Sequence, residues 1–144
     1  RLFSTSTFAA SSARGWFEPM GESNALFMPK IMWDELGGFD EQFALPGGGL
    51  SNHDLFRRAC LLAGAQLVVL LGEGTFHQIH GGAATSGRFS WQEMHAEYVT
   101  LRGEAYAPPG NDRLYVGGIP PFALPHIEAS LAWSLAAAKR RSPE

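Results

Sequence analysis

The sequence predicts an α/β fold: a small mixed sheet with helices packed against it and a helical C-terminal tail. Three observations carry this. Residues 66–71, QLVVLL, form a β-type apolar run with little alternation, which suits a strand covered on both faces in an α/β sheet. An amphipathic helical pattern precedes it, with Leu55, Phe56, Ala59, Cys60 and Ala63 on one face and Arg57 and Arg58 on the flank. A longer helical pattern over 122–140 places Leu124, Ile127, Leu131 and Leu135 inward.

The elements follow in order. Residues 1–21 are rich in Ser, Thr and Ala, then aromatic at Trp16 and Phe17, and read as loop or extended chain. Residues 24–29, NALFMP, are an apolar run of strand length ended by Pro29; period alone does not separate it from a short buried helix. Residues 30–36 predict a short helix carrying Ile31, Met32, Trp33 and Leu36, stopped by Gly37 and Gly38 as a left-handed cap. Residues 42–50 are a loop in which Pro46 and Gly47, Gly48 and Gly49 permit backbone angles other residues avoid. Ser51 stands three residues before Asp54, a variant of the capping box, and opens a helix that Gly64 ends. After Gly82 the chain changes character. Trp91, Met94, Tyr98 and Leu101 predict a helix over 89–102, and a Pro/Gly-rich connector runs from Pro108 to Pro121. The final helix ends in Lys139, Arg140 and Arg141, the favoured charge for a helix C-terminus.

Composition narrows the functional classes. With 144 residues, 45% hydrophobic and 17% charged, the chain can bury a core as a globular domain. A net charge of −3 argues against a nucleic-acid partner. The lone Cys60 leaves no internal disulfide and no cysteine pair for zinc, and it favours a cytoplasmic setting. No apolar run approaches the ~18–20 residues of a transmembrane segment, and no signal-peptide pattern is present. The abrupt opening at Arg1, without an initiator Met, reads as a cut N-terminus.

Within residues 22–82 the order of parts is a Gly-Gly-Phe-Asp-Glu turn (Gly37 to Glu41), a triple-glycine loop, a capped helix, a buried-type strand and the histidines His77 and His80. That order resembles the acceptor-side half of family 2 glycosyltransferases, which have the GT-A fold. The resemblance implies a partial GT-A-like domain over residues 1–82 and a helical extension packed on it over 83–144. It implies transfer of a sugar from a nucleotide-sugar donor to an acceptor hydroxyl, with a divalent metal, Mn²⁺ or Mg²⁺, in the complete enzyme. In the family an Asp-X-Asp motif and nucleotide-binding βα units precede this region. No Asp-X-Asp occurs in the chain, so the resemblance implies a fragment that is inactive alone.

Site residues follow from the same match. Gly47, Gly48 and Gly49 supply a loop that can approach a sugar closely, and the helix start behind it offers backbone N–H groups to an anion or hydroxyl. Relatives often end this loop in a Glu-Asp pair whose carboxylate is the general base; Ser51 and Asn52 stand there, and neither is a carboxylate. Asp54 is the nearest matching acid, as base or as capping-box partner, and His53 is the other candidate base near neutral pH. Phe39 and Asp40 of the turn lie where relatives border the donor–acceptor cleft. His77 or His80 is the expected metal ligand, a neutral imidazole suiting Mn²⁺.

Two other classes stay open. The missing Glu-Asp pair fits a non-catalytic module of the same fold that binds a glycan or a protein. A metal-dependent hydrolase would use His53, His77, His80 and His95, although no spacing such as H-E-x-x-H occurs. A one-sided sheet would also leave an edge that self-association could cover, giving a homo-oligomer, with Leu131 and Trp133 of the C-terminal helix as a second candidate surface.

Overall fold

The computed structural model describes residue 17, residues 25–73 and residues 90–141. The described residues fall into two compact units, each built from separated stretches. The expected division between residues 82 and 83 lies outside the described residues, as do His77 and His80.

One unit comprises residues 25–65 and 90–111 and is helical. Helix α1 (Lys30–Leu36) is terminated as the glycines predict. Gly37 is left-handed at φ 72°, and its N–H donates to the carbonyls of Asp34 and Trp33. The preceding run is not a strand: Phe27 is 84% exposed, and Pro29 is extended at the helix N-cap, its carbonyl accepting from Met32 and Trp33. Helix α2 (Ser51–Leu61) buries Leu55, Phe56, Ala59 and Cys60 as its pattern predicts, together with Asp54, whereas Ala63, expected on the same face, lies beyond the helix and is exposed. The helix ends three residues before Gly64, and Asn111 Nδ2 donates to the Cys60 carbonyl at 2.7 Å, serving one of the orphan acceptors of the last turn.

Helix α3 (Trp91–Arg102) begins with a capping box. Ser90 Oγ accepts from the Glu93 N–H at 3.2 Å, and Glu93 Oε2 accepts from the Ser90 N–H at 2.6 Å. The core of this unit is Phe43, Leu50 and Tyr98, flanked by Met94, Leu101 and Tyr106. Tyr98 packs edge-to-face on Tyr106 with centroids 5.3 Å apart.

The other unit comprises Phe17, residues 66–73 and residues 112–141. Strands β1 (Leu67–Leu71) and β2 (Arg113–Gly117) pair in parallel, with Leu67 opposite Arg113 and Leu71 opposite Gly117. The sheet of the described residues is thus α/β in character but parallel, not mixed, and β2 lies inside the stretch expected to be a connector. Helix α4 (Leu124–Arg141), entered through a 3₁₀ turn (Pro121–Ala123), packs Ile127 on Val69, with Phe17 and Leu71 at the margin.

Two expectations fail here. β1 is covered on one face only: Val69 is buried, while Val68 and Leu70 are about half exposed. Along the 3₁₀ turn and α4 the buried residues are Ala123, Ile127 and Ser130, whereas Leu124, Leu131 and Leu135 are exposed. Among the described residues no helix is long and apolar enough to cross a membrane.

Candidate functional site

Two loops of the helical unit carry five of the predicted site residues, Phe39 and Asp40 in the Gly-Gly-Phe-Asp-Glu turn after α1 and Gly47, Gly48 and Gly49 in the loop before α2. A buried carboxylate organises the first. Asp54, in the first turn of α2, is 1% exposed and accepts three charge-assisted hydrogen bonds. Arg102 Nε reaches Oδ1 at 2.6 Å, Arg102 Nη2 reaches Oδ2 at 2.8 Å, and Arg58 Nε reaches Oδ2 at 2.7 Å. Burial pushes the Asp54 carboxyl up, but the bonds and charges of Arg102 and Arg58 outweigh it and hold it below the usual 3.8. This is a sealed, ionised anchor, with geometry poorly suited to taking a proton from an acceptor. The capping-box reading of Asp54 fails as well: Leu50 is the N-cap, no side chain caps the helix, and the carboxylate turns to the arginines.

The arginines pass that anchoring on to the turn. Arg58 Nη1 donates to the Leu36 carbonyl and Nη2 to the Gly38 carbonyl, both at 2.8 Å. Arg102 Nη2 also donates to Asp40 Oδ2 at 2.7 Å. Asp40 Oδ1 accepts from the Gln42 N–H at 2.9 Å, and that bond, followed by Arg102, lowers the Asp40 pKa. The Arg102 guanidinium is held charged above its usual value, first by the bond to Asp54 and, against burial, also by Asp40. It lies over the Phe43 ring, 5.3 Å from the centroid. Gly38 sits at φ 69°, where an added Cβ would come 2.7 Å from Trp33 Cζ2; the indole in turn meets Phe39 edge-on at 5.5 Å.

The result is an open cleft of about 610 Å³ lined by the 36–42 turn, Arg58 and Arg102. Phe39, 39% exposed, gives it an apolar surface; Asp40, Glu41 and Gln42 give it polar groups. Phe39 and Asp40 are therefore the two predicted site residues that line this cleft.

The triple-glycine loop is built otherwise than expected. Gly47, Gly48 and Gly49 all have positive φ, 84°, 81° and 50°, which explains three glycines in a row. The loop does meet an anion, but one from this chain. Glu97 of α3 accepts through Oε1 from the N–H groups of Ala44 and Leu45, at 2.8 and 2.9 Å. Its Oε2 is buried with no hydrogen-bond partner among the described residues, and an added Cβ on Gly49 would overlap it. The Gly48 and Ser51 N–H groups are spent on the carbonyls of Leu45 and Gly48. Asn52 is half-buried in the first turn of α2.

His53 lies among aromatic rings, edge-on to Tyr106 at 5.4 Å and to Trp91 at 6.0 Å. His95 Nε2 accepts from the Tyr106 N–H at 3.2 Å, which requires that nitrogen to be unprotonated. Burial pushes the Tyr106 phenol up to about 12. Among the described residues no three His, Cys, Asp or Glu side chains converge to hold a metal ion. Cys60 is buried, and burial raises its pKa, as a core residue requires.

Arg102, Arg58 and Glu97 were absent from the sequence reading of the site. Arg102 and Glu97 act on residues distant in the chain, leaving as local trace only a basic residue ending a helix and an acid on its polar side, whereas Arg58 also pairs with Asp54 four residues before it, a spacing the sequence displays. No protein-family model, no curated protein and no solved structure matches the chain.

Proposed function

We propose that the chain supplies the acceptor side of a glycosyltransferase of family 2 and holds a sugar in the cleft beside Phe39. Transfer from a nucleotide-sugar would then need a nucleotide-binding, Asp-X-Asp-bearing region that these 144 residues do not contain. The observation that carries the reading is the Gly-Gly-Phe-Asp-Glu turn itself. Its backbone is fixed by Arg58, its Asp40 by Arg102, and it presents an aromatic edge next to carboxylate and amide groups in one open cleft. An apolar patch with a few convergent polar groups is what the CH face and hydroxyls of a pyranose require. A divalent metal belongs to this proposal through His77 or His80 in the complete enzyme.

A second reading is favoured by one observation. Asp54, the nearest acid to the missing base, is closed off by two guanidinium groups. That fits a glycan-binding module in which the transfer chemistry is lost. Titration of the ¹⁵N-labelled chain with millimolar monosaccharides tests what both share. Amide shifts should change at residues 37–42 and vanish in Phe39→Ala. A panel of sugars that moves none of these amides would overturn the proposal. Nucleotide-sugar turnover by a longer chain bearing Asp-X-Asp would separate the enzyme from the module.

A further inference from the structure

We infer that α4 pairs antiparallel with α4 of a second copy of the chain, giving a weak homodimer; this stands apart from what occupies the cleft. With about 100° between successive helical residues, Leu124, Glu128, Leu131, Leu135 and Ala138 share a stripe about 80° wide along α4. The side of α4 that packs on Val69 runs through Ile127, so the stripe flanks the buried side. Its three leucines are each about half exposed, and Ala138 is exposed. Leu124, Leu131 and Ala138 recur every seven residues, and Leu135 lies one turn beyond Leu131. That spacing makes a continuous helix-pairing seam, unlike leucines scattered singly over a surface.

Charge identifies what covers the seam. Glu128 and Lys139 are exposed at its border, and neither makes an ion pair among the described residues. Glu128 stands three residues before Leu131, and Lys139 stands four residues after Leu135. A two-fold axis near residue 133 sets Leu131 opposite the second copy's Leu135. The same register sets Glu128 opposite the second copy's Lys139, and symmetry makes each contact twice. A parallel pair would instead set Glu128 against Glu128 and align the two helix dipoles, so the antiparallel pair avoids both repulsions. Three half-exposed leucines per copy bury a small area, below the about 1,200 Å² at which standard interfaces begin, and this makes the dimer weak.

Sedimentation velocity of the 144-residue chain, from about 10 μM to about 1 mM, tests this. The average mass should rise from monomer toward dimer with concentration. Leu131→Glu, at an exposed position, should stay monomeric throughout with an unchanged far-UV circular dichroism spectrum. Glu128→Lys places like charges at both contacts and should weaken association about tenfold at low salt. Adding Lys139→Glu to that variant should restore association. Positions 128 and 139 are about 16 Å apart along one helix, so rescue must come across the pair. A chain that stays monomeric overturns the inference. So does an association indifferent to Leu131→Glu, or a charge reversal that the second substitution does not rescue.

Discussion

Arg102→Met is the substitution on which the account of the cleft depends most. The Asp54 side chain is 1% exposed, and Arg102 donates two of its three hydrogen bonds. Methionine keeps apolar contact with the Phe43 ring but leaves the carboxylate half-compensated and sealed from water. Removing one partner of a buried ion pair costs about 3–5 kcal/mol. Arg58 remains, and the Arg102 side chain is 23% exposed, so water can reach part of the gap. The lower end, about 3 kcal/mol, is therefore expected. Urea unfolding followed by tryptophan fluorescence reads it, since Trp33 and Trp91 both belong to this unit. Asp54→Asn should lose much of its own cost in the Arg102→Met background, with a coupling of about 2 kcal/mol. A cost for Arg102→Met under about 1 kcal/mol, the range of an exposed pair, or strictly additive single costs, would refute a buried network that fixes the turn.

Acid should act through the same groups. Asp40 and Asp54 both titrate below their usual 3.8 in the fold, so the stability they contribute is complete above that value and drains as pH falls through their folded values. The urea midpoint should stay flat down to about pH 5 and fall below about pH 4, less steeply in Arg102→Met. Gly49→Ala combines a left-handed backbone with overlap on Glu97 Oε2 and should cost about 3 kcal/mol, whereas Gly37→Ala, which meets open space, should cost about 1 kcal/mol in the same unfolding assay. Ser90→Ala removes the N-cap of α3 and should cost about 1 kcal/mol, with faster amide exchange in the first turn of that helix.

The contrast between what the sequence announced and what it concealed follows the range of the interactions. Helices α1, α2, α3 and α4 and strand β1 were legible because their signals are local: a three-to-four-residue apolar period, a left-handed glycine, an unbroken β-type run. β2 was not. Its five residues, Arg113–Gly117, sit between prolines and glycines, every one is exposed, and its pairing partner lies some forty-six residues earlier (Leu67 with Arg113). Leu114, Tyr115 and Val116 were the available trace, three β-favouring side chains in a row. The inward line of α4 misled for a related reason: hydrophobicity ranks Leu131 above Ser130, yet Ser130 is the buried residue and Leu131 is 44% exposed.

The site shows the same division more sharply. Gly37 to Glu41 and Gly47 to Gly49 stand out in the sequence, yet neither loop holds itself. Arg102 reaches Asp54 across 48 positions and Asp40 across 62, and Glu97 reaches Leu45 across 52. Both residues come from α3. A peptide of residues 30–61 would contain both glycine motifs, Asp54 and Arg58, and it would still lack two of the three donors to Asp54 and the carboxylate that gathers the Ala44 and Leu45 amides. The cleft is therefore a property of α3 docked on the two loops, and any change that loosens α3 should reach the proposed sugar binding without touching a residue of the Gly-Gly-Phe-Asp-Glu turn.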